Sequence, residues 1–451
     1  MIYYDKNLSN GHLCKLLVEE GKFVSDGNDI FKFEEPFFLR ISPDKIRLEL
    51  RKLMTPDTRL EISSSKLDAI IELIRDNPSI QIEEERNTGT ILFRNGSYCV
   101  DDDKLHPYGL KRYTWAKVDA VYKEGVTIEQ SPNFLRFVQS SLDYDTTPEK
   151  TDLLLEIIGY ILSDYTTAKK AFFFIGEPSS GKSKMLEFLQ KLLGDEDVTQ
   201  IPLSKIGGRF NIGQLRGKRL NVCTELASDK FPPLDSFKAL TSCDRVYGEL
   251  KGHDGFSFYP KVKLICAGNS VPVPTCLDGS TSVMDRMVFL LFNHSIPRDQ
   301  WNFNLVEDLL SERDLICSLA VQKLPSLVQS NYTFTVPKDS ETFAQTYSET
   351  LQAFELFLCE TCELDEKVHV SSQILWERYQ EFCHDNGFPI GINQQLFVQK
   401  VCRIDGIKKR RIREGGKQIT AFYGINLQKS DLSYRKRSMI VISQGERRKQ
   451  I

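Results

Sequence analysis

The chain has 451 residues, too many for one ordinary core, so two or three domains are expected. No apolar run approaches the roughly 18 residues of a membrane span, and the N-terminus lacks the basic and apolar regions of a signal peptide. The net charge of −3 hides an asymmetry: residues 401–451 carry 14 Lys and Arg against four Asp and Glu, which leaves the rest acidic. A basic end on an acidic body points to a polyanionic partner held by that end. The eleven cysteines are scattered, with Cys223, Cys266 and Cys317 inside apolar runs, and read as reduced thiols of a cytoplasmic protein.

Residues 1–150 mix strands and helices. Phe31–Phe33 and Phe37–Ile41 alternate as strands, whereas Ser42–Met54 and Ser64–Arg75 repeat apolar residues at helical spacing. Thr90–Phe93 reads as a strand entering an Asn-Gly turn, and 151–168 as a helix leading into the next strand. Strands and helices alternate over 151–330, the pattern of an α/β domain. Asn331–Ser348 is polar, contains Pro337 and reads as a linker. Residues 349–428 form a further domain of helices followed by a basic hairpin, and 429–451 a basic tail.

The chemistry concentrates after the apolar strand 171–175. Gly176, Glu177, Pro178, Ser179, Ser180, Gly181, Lys182 and Ser183 spell the phosphate-binding loop, followed by an amphipathic helix to Leu193. Such a loop wraps phosphates with backbone N–H groups and the helix N-terminus. Its Lys reaches the β- and γ-phosphates and its Ser ligates Mg²⁺. A second apolar run, 219–224, ends at Glu225, placed to hold Mg²⁺ and polarise the attacking water. A third, 261–268, ends at Asn269, where a polar residue can touch the γ-phosphate or the lytic water. Arg286, before a fourth apolar run, could stabilise the transferring phosphoryl of a neighbouring subunit's nucleotide. The pair Cys359 and Cys362 lies in a helical stretch without a second such pair and reads as core thiols rather than a zinc site.

These four elements, in this order within about 110 residues, resemble the superfamily 3 helicases, a branch of the AAA+ ATPases. The likeness is to the helicase part of phage and plasmid primase-helicases, including replication initiators of phage-related genomic islands. Phe93–Ser97, His106-Pro107 and Ile158–Leu162 resemble the family's pre-helicase domain. Gly217–Leu220 and Phe237–Asp244 match its further signatures, so the resemblance covers roughly 20–427. It implies an α/β P-loop AAA+ core at 151–330, an α+β pre-helicase domain at 1–150 and a C-terminal winged helix at 349–428. It further implies ATP and Mg²⁺ as cofactors, with Lys182, Glu225, Asn269 and Arg286 as Walker A lysine, Walker B carboxylate, sensor 1 and arginine finger, and Ser183 and Glu225 as metal ligands. Thr224 stands where many members carry a second acidic residue, and Ser242-Cys243 replaces a small Gly-rich pair before Asp244.

Between Glu225 and Asn269, 245–258 reads as a hairpin with Lys251-Gly-His253 at its tip. By the resemblance, Lys251 and His253 hold the DNA backbone. In the C-terminal domain 371–385 is one helix, 393–402 the recognition helix, and 407–425 a basic wing. Arg403, Lys408, Lys409, Arg410, Arg411, Arg413 and Lys417 provide a phosphate-contacting face. The expected protein is a hexameric, 3′-to-5′ DNA helicase of a mobile element in the cytoplasm of a bacterial host. Its partners would be single-stranded and origin DNA, with a separate primase or polymerase and no membrane. The rivals are an origin-binding protein whose P-loop is a nucleotide switch, and an AAA+ remodeller of proteins.

Overall fold

The computed structural model describes residues 9–428 apart from 20–22, 26, 28, 35–36, 53, 82–88, 108–115, 227–230, 253, 273, 275–279, 403, 405 and 415–416. At its centre is a five-stranded parallel sheet. Its strands are β1 (Ala171–Gly176), β2 (Val198–Thr199), β3 (Leu220–Cys223), β4 (Lys263–Gly268) and β5 (Met287–Phe292), in the spatial order β5-β1-β4-β3-β2. This is a mixed α/β fold.

A parallel strand covered on both faces reads as an unbroken apolar run, and β1 is Ala-Phe-Phe-Phe-Ile-Gly for that reason. Successive side chains point to opposite faces. Phe172 and Phe174 enter one core with the helix Pro148–Leu162, while Phe173 and Ile175 enter a second core on the other face. Leu290 and Phe292 of β5 join the first, and Met287, Phe289 and Leu291 the second. A one-residue slip in either strand would exchange the two sets.

The first core also takes in residues from Ile91–Val100 and Ala116–Leu142, with the hairpin Thr90–Phe93 and Gly96–Cys99. Residues between Cys14 and Ile80 form a separate small core around the helix Ser64–Arg75 and the three-stranded sheet that begins at Phe23. Residues expected as one N-terminal domain, 1–150, thus contribute to two cores, one of them shared with the central sheet. The helix expected over 151–168 stops at Leu162, because Ser163 turns extended and its carbonyl accepts the buried Lys263 Nζ at 2.6 Å.

The polar segment read as a linker is largely helical: one helix spans Lys338–Thr361. Asp339 and Glu341 in its first turn suit the helix dipole, and Tyr347, Leu351 and Phe354 repeat at helical spacing on its buried face. The polarity reports only the outward face of a half-buried helix. Beyond it the chain forms β6 (His369–Ser371), helices Ser372–Asp385 and Gln394–Val401, then β7 (Lys408–Glu414) and β8 (Lys417–Tyr423), with sheet order β6-β8-β7. Phe354, Phe357, Tyr379 and Phe397 make mutual ring contacts that seat this module on the Lys338–Thr361 helix. Among the described residues no helix is long and apolar enough to cross a membrane.

Candidate functional site

In an open parallel sheet, ligand sites form beyond the carboxyl ends of the strands. Here β1, β4 and β3 are adjacent, and the residues following them meet in one cleft of about 950 Å³. Its walls include Pro178–Lys184 after β1, Thr224 and Glu225 after β3, and Asn269 after β4. Three of the four sequence elements thus share one cavity.

Local chemistry fixes the loop. Gly176 has φ +150°, and a Cβ there would lie 1.9 Å from the Phe292 carbonyl oxygen, so only glycine allows β1 to leave the sheet beside β5. Gly181 has φ +95° and caps the helix Lys182–Leu193, where a Cβ would meet Phe137 at 2.9 Å. The Lys182 ammonium lies in the concavity of the loop. It donates to the carbonyl oxygens of Gly176 (2.9 Å) and Glu177 (2.5 Å) and to Ser180 Oγ (3.0 Å), which occupies its three donors. Burial pushes this ammonium below its usual range, and the Glu177 carboxylate only partly offsets it. An arriving polyphosphate would supply the missing negative charge.

Glu225 is exposed to the cleft, and its backbone is pinned from two sides. Leu226 N–H donates to Ala267 O (3.0 Å), and the Cys223 thiol donates to the Glu225 carbonyl (3.3 Å). Asn269 is likewise exposed. Ser183 and Glu225 therefore offer a hydroxyl and a carboxylate to the same space, a hard-oxygen donor set suited to Mg²⁺ that leaves room for water and phosphate ligands.

Arg286 is not in this cleft. Met287 is in register with Ala171, at the start of β1, and Arg286 O accepts the Ala171 N–H at 2.7 Å. Six residues of strand, about 20 Å, separate it from Gly176. Its Nε is buried without a hydrogen-bond partner.

The hairpin over 245–258 forms as expected. Val246–Gly248 pairs antiparallel with Phe256–Phe258, and Lys251 is exposed at the turn beside Gly252 at φ +79°. His253 and Arg403 lie outside the described residues, as does the side chain of Lys417. Lys408, Lys409, Arg410, Arg411 and Arg413 are exposed along β7, an edge strand of its sheet, and Arg410 also covers the Tyr423 ring at 5.2 Å. Asp244 caps the turn after the Leu234–Ser242 helix through its N–H to Ala239 O and does not line the cleft. Of the cysteine pair, Cys362 is buried and Cys359 exposed. Among the described residues no group of three or more His, Cys, Asp or Glu is placed to hold a metal.

Sequence reasoning missed part of the wall of this cleft. The helix Pro132–Leu142 contributes Arg136, Phe137 and Ser140, and the loop after β5 contributes Ile296, Trp301 and Phe303. No local pattern marks Arg136. The exposed aromatics Trp301 and Phe303 in an otherwise polar loop were the available signal.

Comparison with known proteins gives two partial family matches. Residues 174–286, which contain the cleft's strand-end residues, match a family of unknown function, DUF5906. Residues 356–423 match a family described as Poxvirus D5 protein-like. Among solved structures, an A-form apo structure of the NrS-1 C-terminal region is 12% identical over 91% of this chain and 99% of that one, with a TM-score of 0.42. A second apo structure of that region is 12% identical over 94% and 100%, with a TM-score of 0.44.

Proposed function

We propose that this chain is an ATP-driven DNA helicase of a replication system, hydrolysing ATP in the cleft at Gly176–Ser183 and applying the energy to DNA. The observation that carries the reading is the convergence of the phosphate loop, Glu225 and Asn269 at the ends of three adjacent parallel strands. A lone Gly-rich loop would license only phosphate binding. A carboxylate and an amide facing it add the means to orient a lytic water and to sense the γ-phosphate. The match of 356–423 to the Poxvirus D5-like family, a primase/helicase group, fits a replication protein.

In this account Lys182 exchanges its bonds to the loop carbonyls for the β- and γ-phosphate oxygens. Glu225 accepts the proton of the attacking water, and Asn269 orients that water against the γ-phosphorus. Mg²⁺, held by Ser183 Oγ and Glu225 when bound, would neutralise charge developing on the phosphates. Arg286, at the far end of its own sheet, serves only the nucleotide of a neighbouring subunit, which requires a head-to-tail ring, with a hexamer as the expected form. Lys251 at the hairpin tip grips the DNA backbone without regard to sequence. The order β6, two helices, β7-β8 with β6 paired to β8 supports the winged-helix reading of the C-terminal module, whose β7 cations face origin DNA.

The test is strand displacement on a forked duplex with ATP. The intact protein displaces the strand, Lys182→Ala does not, and Lys251→Ala displaces poorly. Undiminished displacement by a Lys251→Ala, His253→Ala double variant would contradict the hairpin's role. Absence of displacement by the intact protein, with ATP-dependent unfolding of a protein substrate, would favour a protein remodeller.

A further inference from the structure

The lining of the cleft extends past the phosphate loop, Glu225 and Asn269 to residues that the phosphate machinery does not use. Asn269 and Glu225 follow β4 and β3, on one side of the phosphate loop. The opposite neighbour of β1 is β5. The chain leaving β5 lines the rest of the same cleft, together with Arg136 and Phe137. A triphosphate whose γ-end faces Glu225 and Asn269 must cross Lys182 and lead its nucleoside away over β1, toward the loop after β5. This step rests on the ATP reading above.

That loop holds an aromatic ring in fixed register with the phosphate loop. Ile296 N–H donates to the Ser179 carbonyl at 3.1 Å, and the Trp301 indole N–H donates to the Ile296 carbonyl at 2.8 Å. One residue therefore connects the indole to the phosphate loop. The Phe303 ring meets the indole edge-on, with centroids 6.3 Å apart, and the Arg298 guanidinium lies 5.8 Å from the indole centroid. Trp301 is nevertheless 40% exposed. An indole committed to the core would be covered. This one has its in-plane donor satisfied, its ring oriented, and surface left over inside a cleft.

We propose that Trp301 is the stacking platform of a nucleobase subsite between the Pro132–Leu142 helix and the loop after β5. Asn302, the next residue in the chain, is spent locally: its Nδ2 donates to Asp308 Oδ2 at 2.7 Å, and its Oδ1 accepts the Asn304 N–H at 2.9 Å. The platform itself recognises ring area, which ranks purines above pyrimidines and separates adenine from guanine only weakly.

The experiment is equilibrium binding of ATP, GTP, CTP and inorganic tripolyphosphate to the intact protein and to the Trp301→Ala and Trp301→Phe variants, with indole fluorescence recorded alongside. Trp301→Ala should weaken ATP about tenfold or more and leave tripolyphosphate unchanged, because the substitution removes only base stacking. Trp301→Phe should keep most of the ATP affinity while losing the nucleotide-dependent fluorescence change, and ATP and GTP should bind alike, ahead of CTP. ATP binding that is indifferent to Trp301→Ala but abolished by Lys182→Ala would overturn the subsite and leave the phosphate site standing. Failure of the intact protein to bind either ATP or tripolyphosphate would overturn both.

Discussion

The carboxylate of Glu312 accepts the backbone N–H of Phe134 at 3.0 Å across 178 residues of sequence. The same carboxylate accepts from Ser131 Oγ at 2.5 Å and from the Asn133 N–H at 2.9 Å, so it caps the helix that carries Arg136 and Phe137 into the cleft. Helix starts leave N–H groups without partners, and a buried carboxylate supplies charge-assisted ones. Glu312→Gln replaces one acceptor oxygen with an amide that opposes these donors. It should cost about 2–3 kcal/mol, read as a fall in thermal midpoint, with a weaker rise on adding nucleotide than the intact protein shows.

Glu225 governs turnover rather than binding in this account. Its side chain is exposed to the cleft on a pinned backbone. Glu225→Gln keeps the size and one oxygen able to ligate Mg²⁺ but removes the base, so nucleotide affinity should largely hold while hydrolysis falls about 100-fold or more. Equal loss of binding and turnover would assign Glu225 to ground-state binding.

Arg286 offers a subunit-mixing test. Lys182→Ala and Arg286→Ala proteins should each be inactive, because every interface then lacks one partner. Mixed in equal amounts, they should regain about a quarter of wild-type hydrolysis, since random assembly pairs an intact Lys182 with a neighbour's intact Arg286 at that frequency. No recovery on mixing, with both variants shown to co-assemble, would place Arg286 outside the site.

The β7 cations should be read through salt dependence. Replacing Lys409, Arg411 and Arg413 by Ala should reduce the slope of log affinity for duplex DNA against log salt by about 2–3, at about 0.9 for each phosphate no longer neutralised. Cutting the chain at 370 is a poorer test, because Phe354 and Phe357 would lose Tyr379, Phe382 and Phe397 from their shared core.

Lys400, on the helix expected to meet DNA, faces inward instead. It is 3% exposed, with Nζ 4.1 Å from the Phe354 ring centroid, and burial pushes it down to about 7. The unfolded chain holds this proton to about pH 10.4. Between about 7 and 10 the unfolded state therefore binds more protons, and stability rises with pH. Below about 7 both states are charged and the penalty is present in full. Lys400→Met should stabilise the protein most below pH 7, and its advantage should shrink by pH 9. Melts at pH 6 and 9 check the sign.

Much of the site is legible in the sequence because its chemistry is local. Gly176 and Gly181 sit where the backbone has no alternative, and the loop between an apolar strand and an amphipathic helix announces itself. Glu225 and Asn269 can be anticipated as the ends of apolar runs, although only the β1-β4-β3 adjacency puts them in one cavity. What stays hidden depends on distant pairings. Glu312 caps a helix 178 residues away, and Trp301 gains its meaning from the Ser179–Ile296 bond. Over 338–348 polarity misleads, because it marks an exposed helix face as readily as a linker. Residues 1–150 read as one domain because no composition change marks where the Cys14–Ile80 core ends.

The most direct test of the central claim is phosphate release from ATP by the purified protein, with and without single-stranded DNA, alongside Lys182→Ala. The account predicts hydrolysis that DNA accelerates and that Lys182→Ala abolishes under both conditions. Hydrolysis indifferent to Lys182→Ala, or absent from the intact protein with and without DNA, would contradict it.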